Sequence, residues 1–90
     1  LVNNAGINTA GGRVPIDQYR DEDWERILRV DLTGVFVTSR IVVPILRRGG
    51  GGRIVNIASV AGLVPLRLQS AFVAAKAGVI NLTRSMALEL

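Results

Sequence analysis

The 90-residue sequence contains no cysteine and no histidine. The lack of thiols excludes a disulfide framework and a thiolate metal site, and the lack of imidazole excludes the usual zinc ligand sets and a Ser-His catalytic pair. Aromatic side chains make up only 4% of the residues, and the ten arginines and one lysine are interspersed with seven acidic residues. Because nucleic-acid binding favours clustered positive charge with interleaved aromatic residues, we expect no nucleic-acid partner.

Long apolar runs are also lacking. The longest, residues 35–46, is interrupted by Arg40 and Pro44 and is shorter than the roughly 20 residues that span a bilayer. We therefore expect a soluble, cytoplasmic protein with no membrane partner. Apolar residues nevertheless make up 49% of a chain that is too short to bury them all, and Leu1 opens directly on a strand-like run. We interpret the sequence as an internal segment of a longer chain that does not fold stably by itself.

Hydrophobic periodicity predicts alternating strands and helices. The predicted order is strand, helix, strand and helix, over residues 1–3, 21–48, 53–57 and 70–90. Asp21 is the predicted N-cap of the first helix, which is expected to break near residues 33–34. This alternation is typical of an α/β fold with a parallel sheet and helices packed over it.

Several residues that could take part in binding or catalysis are expected at one edge of that sheet. Ligands of open parallel sheets bind beyond the carboxyl ends of the strands, where Gly6 closes one turn and Ser59 follows the next strand. Glycine suits such a turn because it tolerates backbone angles that other residues avoid. Phe72 and Lys76 are four residues apart and share a helix face that can turn toward Ser59. Taken alone, Lys76 is better explained as a solvated helix lysine, and Ser59 as a turn residue.

The sequence resembles the classical short-chain dehydrogenases/reductases. The resemblance lies in four ordered segments, Asn3-Asn4-Ala5-Gly6, Val30-Asp31-Leu32-Thr33-Gly34, Asn56-Ile57-Ala58-Ser59 and Phe72-Val73-Ala74-Ala75-Lys76. It covers essentially the whole chain and implies a doubly wound, Rossmann-type parallel sheet. Residues 1–90 would form the central part of a single NAD(P)-binding domain, without its Gly-rich N-terminal half and its later strands.

The resemblance also implies an activity. Members of the family transfer a hydride between NAD or NADP and a small carbonyl or alcohol substrate, and they form homo-oligomers through two long helices. The implied cofactor-binding positions are Asn4, Ala5, Gly6, Val30 and Lys76. The implied catalytic positions are Ser59, Lys76, Phe72 (the tyrosine position) and Asp31 (the asparagine position). Ser59 would hydrogen-bond the substrate oxygen, while Lys76 would hold the nicotinamide ribose and lower the pKa of a neighbouring phenol.

Two of these positions depart from the family pattern. Phe72 replaces the tyrosine, and a phenyl ring has neither a proton to give nor an oxygen to receive one. Tyr19 is not expected to replace the phenol, because it lies in the loop before the first helix. Asp31 replaces an asparagine and brings a carboxylate near Lys76, where it either pairs with the ammonium or is costly to bury.

The departures leave three interpretations open. The protein is a weakly active or inactive oxidoreductase, a non-catalytic nucleotide-binding scaffold or dimer partner of the same fold, or an enzyme in which Phe72 is a chance mutation or a sequence error.

The small residues Ala74, Ala77 and Gly78 in the last helix further predict close packing, either on the sheet or on a partner chain.

Overall fold

The computed structural model of the chain describes residues 1–9 and 12–90. Two short strands, β1 (Val2–Asn3) and β2 (Val55–Asn56), pair in parallel with Val2 opposite Val55 and Asn3 opposite Asn56. The helices are α1 (Asp21–Leu28), α2 (Gly34–Arg48) and α3 (Ser70–Glu89), and one-turn 3-10 segments lie at Ile16–Gln18 and Val60–Gly62. The predicted α/β alternation with a parallel strand pair is therefore confirmed, although the strands are shorter than expected.

A π-helical turn, Arg29–Thr33, joins α1 to α2. The helix break predicted near residues 33–34 falls at the end of this turn. The helical backbone nevertheless continues through it, because Leu28 and Thr33 both keep right-handed helical angles. A wide turn of this kind adds a residue to the helix and is frequent at functional sites. Here it carries Asp31, which is almost fully buried.

The start of α1 differs from the prediction by one residue. Arg20 occupies the N-cap position without a side-chain cap, and Asp21 is the first helical residue rather than the cap. Together with Glu22 and Asp23, Asp21 places negative charge in the first turn. That turn carries the positive end of the helix dipole, so the acidic residues favour the helix there even without a capping hydrogen bond.

The core is small and lies between α1 and α3. Ile27 of α1 packs with Ala71 and Ala75 of α3, and both alanines are fully buried. Farther along α3, a Cβ added at Gly78 would lie 3.0 Å from the two terminal methyls of Leu32. Close packing at Gly78 is thus present, but its partner is the π-helical turn. Ala74 and Ala77 are exposed.

One face of the two-stranded sheet is not covered by a helix of the described part of the chain. Asn56 faces α3, so its neighbour Val55 and the paired Val2 point to the opposite face, where they are 49% and 62% exposed. The radius of gyration is 14.4 Å, against about 12 Å for a compact domain of this length. Parallel sheets are normally covered by helices on both faces. Within the described residues, none of the helices has the length and apolar character needed to cross a membrane.

Leu68 has an unusual backbone conformation in the loop before α3. Its φ of 62° lies in the left-handed region, and no other non-glycine residue in the described part of the chain has a positive φ. The Leu68 carbonyl accepts a hydrogen bond from the Val14 N–H at 3.0 Å, and Asn8 Nδ2 donates to Gln69 Oε1 at 2.9 Å. These bonds join the loop before α3 to the loop after β1, so the strained residue lies at the junction of the two loops.

Substituting Leu68 tests this strain. Leu68→Gly and Leu68→Ala both remove the leucine side chain, but only glycine also removes the Cβ that disfavours a left-handed residue. We expect the glycine variant to be more stable than the alanine variant by about 0.5–1 kcal/mol, after the greater unfolded-state entropy of glycine is taken into account. Urea denaturation of the two variants, made in a complete protein carrying this segment, measures the difference. Equal stability would contradict the left-handed conformation.

Candidate active site

Asp31 connects the π-helical turn to the turn that follows β1. Its Oδ1 accepts a hydrogen bond from the Ile7 backbone N–H at 2.7 Å, and the side chain is 1% exposed. The second oxygen, Oδ2, is buried and has no hydrogen-bond partner among the residues that the structure describes. A buried carboxylate with an unsatisfied oxygen is unfavourable unless other charges compensate it. Lys76 is a candidate for that compensation, because its ammonium also borders Gly6.

Lys76 places its ammonium beside the same turn. The side chain is 6% exposed, and Nζ lies 3.3 Å from the position that a Cβ of Gly6 would take; Asp31 Oδ1 lies 3.8 Å from the same point. The ammonium and the carboxylate therefore both border Gly6. No direct ion pair joins them in the described part of the chain.

The ring of Phe72 packs beneath the ammonium. Nζ of Lys76 lies 5.7 Å from the ring centroid, as the spacing of four residues on α3 predicts. A cation at this distance from an aromatic face is stabilised by about 0.5–2 kcal/mol. Phe72 can thus help to hold the lysine in place, although it supplies no proton.

Ser59 opens the 3-10 turn Val60–Gly62. Its Oγ accepts a hydrogen bond from the Ala61 N–H at 3.1 Å, so Ser59 does serve the turn chemistry considered above. The hydroxyl proton is not donated to any described residue and stays available for a substrate oxygen. Ser59 itself is partly buried at the end of β2.

Gly62 brings the turn that carries Ser59 against α3. A Cβ added there would lie 2.7 Å from the Lys76 carbonyl oxygen and 2.5 Å from Ile80 Cδ1, closer than atoms can approach. The backbone that follows Ser59 therefore lies against the helical turn that carries Lys76, and the two residues are on the same side of the sheet. Sequence reasoning missed this role. The one available signal was a glycine three residues after the serine.

A chain of side-chain hydrogen bonds fixes α3 along the sheet. Asn3 Nδ2 donates to Asn56 Oδ1 at 2.8 Å, and Asn56 Nδ2 donates to Thr83 Oγ1 at 2.9 Å. The Thr83 hydroxyl in turn donates to the Val79 carbonyl at 2.7 Å. Both strands and the helix are thus linked by polar contacts. The two asparagines of the motif segments have a structural function here, and Thr83 was not anticipated.

The remaining predicted positions lie around this pocket. Asn4 and Ala5 are exposed beside Gly6 at the carboxyl end of β1, and Val30 is partly buried in the π-helical turn. Tyr19 lies closer to α3 than its place in the sequence suggested, because it packs against the core cluster of Ile27, Ala71 and Ala75. Its hydroxyl is hydrogen-bonded to that of Thr9, at 2.5 Å.

Comparison with known proteins identifies the family. The sequence model described as short chain dehydrogenase matches residues 1–90. The chain therefore belongs to the short-chain dehydrogenase family. Within the described residues, no cluster of acidic side chains is arranged to hold a metal ion.

Several individual proteins are similar over the whole chain. D-beta-hydroxybutyrate dehydrogenase of Rhizobium meliloti (strain 1021) is 44% identical over 90 residues, covering 100% of this chain and 34% of the relative. The 3-alpha-(or 20-beta)-hydroxysteroid dehydrogenase of Mycobacterium tuberculosis (strain ATCC 25618 / H37Rv) is 46% identical, with 100% and 34% coverage. A solved structure of 4-hydroxyisoleucine dehydrogenase complexed with NADH has a TM-score of 0.89 and 37% identity, with 99% and 38% coverage. The chain thus spans about a third of the length of the relatives that it matches.

Substituting Asp31 tests the contact that connects the π-helical turn to Ile7. In a complete protein carrying this segment, we expect Asp31→Ala to lower the free energy of unfolding by about 2–4 kcal/mol, because it leaves a buried N–H unpaired and removes the charge beside Lys76. Asp31→Asn keeps an acceptor oxygen and should cost less than about 1 kcal/mol. Chemical denaturation measures both values. Equal losses would show that the hydrogen bond to Ile7 is not what stabilises this contact.

Proposed function

We propose that the complete protein is a cytoplasmic NAD(P)-dependent oxidoreductase that interconverts a small carbonyl compound and an alcohol by hydride transfer. The 90 residues would form the central part of its single Rossmann-type domain. The observation that carries the proposal is the buried ammonium of Lys76 beside Gly6 at the carboxyl end of β1, on a helical turn whose backbone contacts the turn that carries Ser59. The complete coding sequence tests the domain assignment, because it should place a strand and a Gly-rich turn before residue 1.

The pocket suits the nicotinamide end of such a cofactor. Lys76 makes no hydrogen bond to a described residue, and an ammonium that is 6% exposed needs partners to offset its lost hydration. The hydroxyls of a ribose would supply them, with the exposed turn of Asn4, Ala5 and Gly6 and the nearby Val30 lining the remainder of the site. When bound, the nicotinamide supplies or accepts the hydride.

The residues of the chain would divide the other tasks between them. Lys76 would hold the ribose and bring a positive charge near the reacting atoms. Ser59 would donate a hydrogen bond to the substrate oxygen without giving up its proton, because its O–H has no acceptor among the described residues while Oγ accepts from the Ala61 N–H. Carbonyl reduction needs a hydride at carbon and a proton at oxygen, and Phe72 supplies no proton. Water would have to replace the missing acid, at a cost of about 10²- to 10⁴-fold in rate.

Restoring the phenol tests this assignment. We expect Phe72→Tyr to raise NAD(P)H turnover by at least about 10²-fold, because it returns a positioned acid and base to the site. The assay is nicotinamide absorbance over a panel of ketones and alcohols that includes 3-hydroxybutyrate and hydroxysteroids, chosen from the names of the relatives. Phe36→Tyr makes the same chemical change on α2 and should leave turnover unchanged. A fast parent protein with no faster Phe72→Tyr variant would show that Phe72 is not at the acid/base position.

A non-catalytic scaffold is the second candidate function. Phe72 lies under the ammonium of Lys76 at 5.7 Å, so the ring supports the buried cation without taking part in proton transfer. A scaffold of this kind would bind nucleotide without turnover. Measurable affinity for NADH or NADPH, combined with no turnover in either the parent or the Phe72→Tyr variant, would favour it over the enzyme.

We further propose that the complete protein is a homo-oligomer that associates through α2 and α3. Ile41 and Ile45 of α2 are 58% and 53% exposed, and their spacing of four residues places them on one face of the helix. An exposed apolar face on α2 suits a second copy of the same chain, because a twofold interface pairs each patch with itself.

A charge introduced on α2 tests the interface. We expect Ile41→Glu to reduce the mass of the complete protein toward that of the monomer, since burying an unpaired carboxylate costs several kcal/mol. Ile16→Glu places the same charge at a residue that is 80% exposed in a 3-10 turn and serves as the control. Light scattering coupled to gel filtration measures both. An unchanged oligomer in the Ile41→Glu variant would exclude this face of α2.

A further inference from the structure

Gly6 has no backbone requirement for glycine. The glycines with positive φ in the described residues are Gly12, Gly50 and Gly51, and Gly6 is not among them. The sequence-based expectation that the turn after β1 needs glycine for its backbone angles is therefore wrong. Some other constraint explains why this position carries no side chain.

That constraint is space beside the ammonium of Lys76. A Cβ at Gly6 would lie 3.3 Å from Lys76 Nζ and 3.8 Å from Asp31 Oδ1. The first distance is a few tenths of an ångström shorter than the optimal separation of about 3.5–4.0 Å between non-bonded carbon atoms, so one of the two groups would have to shift by that amount. A methyl group at residue 6 would therefore push against the ammonium, while its contact with the carboxylate would be an ordinary one.

The turn itself is held in place. Asp31 Oδ1 accepts the Ile7 N–H at 2.7 Å, and Asp31 is fixed in the buried face of the π-helical turn. The ring of Phe72 also contacts the ammonium, with its centroid 5.7 Å from Nζ. The ammonium is at the end of a long, flexible side chain, so it is the group that would move.

We propose that Gly6 is a positioning residue for Lys76: the missing side chain at residue 6 determines where the ammonium lies, and through it how tightly a nicotinamide nucleotide is held. The second half of this statement rests on the proposed function, in which Lys76 contacts the cofactor. The first half rests on the geometry of the chain alone, and the two are measured separately.

A double-mutant cycle tests the proposal in the complete protein. Gly6→Ala should weaken the binding of NADH and NADPH roughly tenfold, the loss expected for one charge-assisted hydrogen bond. In the Lys76→Ala background, where the space is free, the same substitution should cost nothing further, so the effects should be non-additive. Nicotinamide fluorescence gives the dissociation constants. Gly49→Ala adds the same methyl at a glycine where the nearest contact would be an ordinary 3.6 Å and is the matched control.

A second readout follows Lys76 directly. Labelling the lysines of the protein with ¹³C gives an NMR signal for the side chain of Lys76. The signal is assigned by its loss in the Lys76→Ala variant. Gly6→Ala should shift this signal in the absence of nucleotide, and Gly49→Ala should not. An unshifted signal, or an equal loss of affinity in both Lys76 backgrounds, overturns the proposal.

The steric role of Gly6 and the cofactor role of Lys76 would be contradicted by different results. If Gly6→Ala shifts the signal but Lys76→Ala leaves nucleotide affinity unchanged, the cofactor role of Lys76 is wrong and the steric role of Gly6 stands. If Gly6→Ala unfolds the protein and the double variant Gly6→Ala/Lys76→Ala is folded, the steric conflict is supported. Unfolding of both variants would contradict it, and circular dichroism distinguishes these cases.

Discussion

The hydrogen bond between the carboxylate of Asp31 and the Ile7 N–H is the contact on which the site depends. It connects the wide turn between α1 and α2 to the turn that follows β1, two segments separated by 24 residues in the sequence. The bond fixes Ile7, and with it the turn that places Gly6 beside the ammonium of Lys76. The contact requires a polar side chain in the interior, and its cost is the buried Oδ2, which has no partner among the residues that the structure describes.

Local patterns were enough to predict the elements. The Ala-rich helix expected over residues 70–90 is observed as Ser70–Glu89, because its periodicity is uninterrupted. The π-helical turn was predicted only as a break near residues 33–34. A single added residue changes the side-chain periodicity as a true interruption would, so the pattern does not distinguish a wide turn from a helix end. The strand pairing was likewise inferred from alternation, and its register became visible only in the structure.

The site was predicted in part for the same reason. Phe72 and Lys76 share a helix face, and spacing alone placed the ring beside the ammonium. Gly62 and Thr83 were missed, because their importance comes from how closely distant segments approach each other. Gly6 was identified as important for the wrong physical reason. Its backbone is ordinary, and the requirement arises from a lysine 70 positions later in the sequence, which no local pattern contains.

The hydrogen-bonded chain from Asn3 through Asn56 to Thr83 has a consequence for how such a site can change. Thr83 follows Lys76 by seven residues, about two helical turns. It anchors α3 from the end that lies away from the loops around Leu68 and Tyr19. The axial position of the lysine is therefore fixed from this end of α3 as well as by the core contacts near those loops. Insertions or exchanges in the loops would leave the Asn56–Thr83 anchor in place.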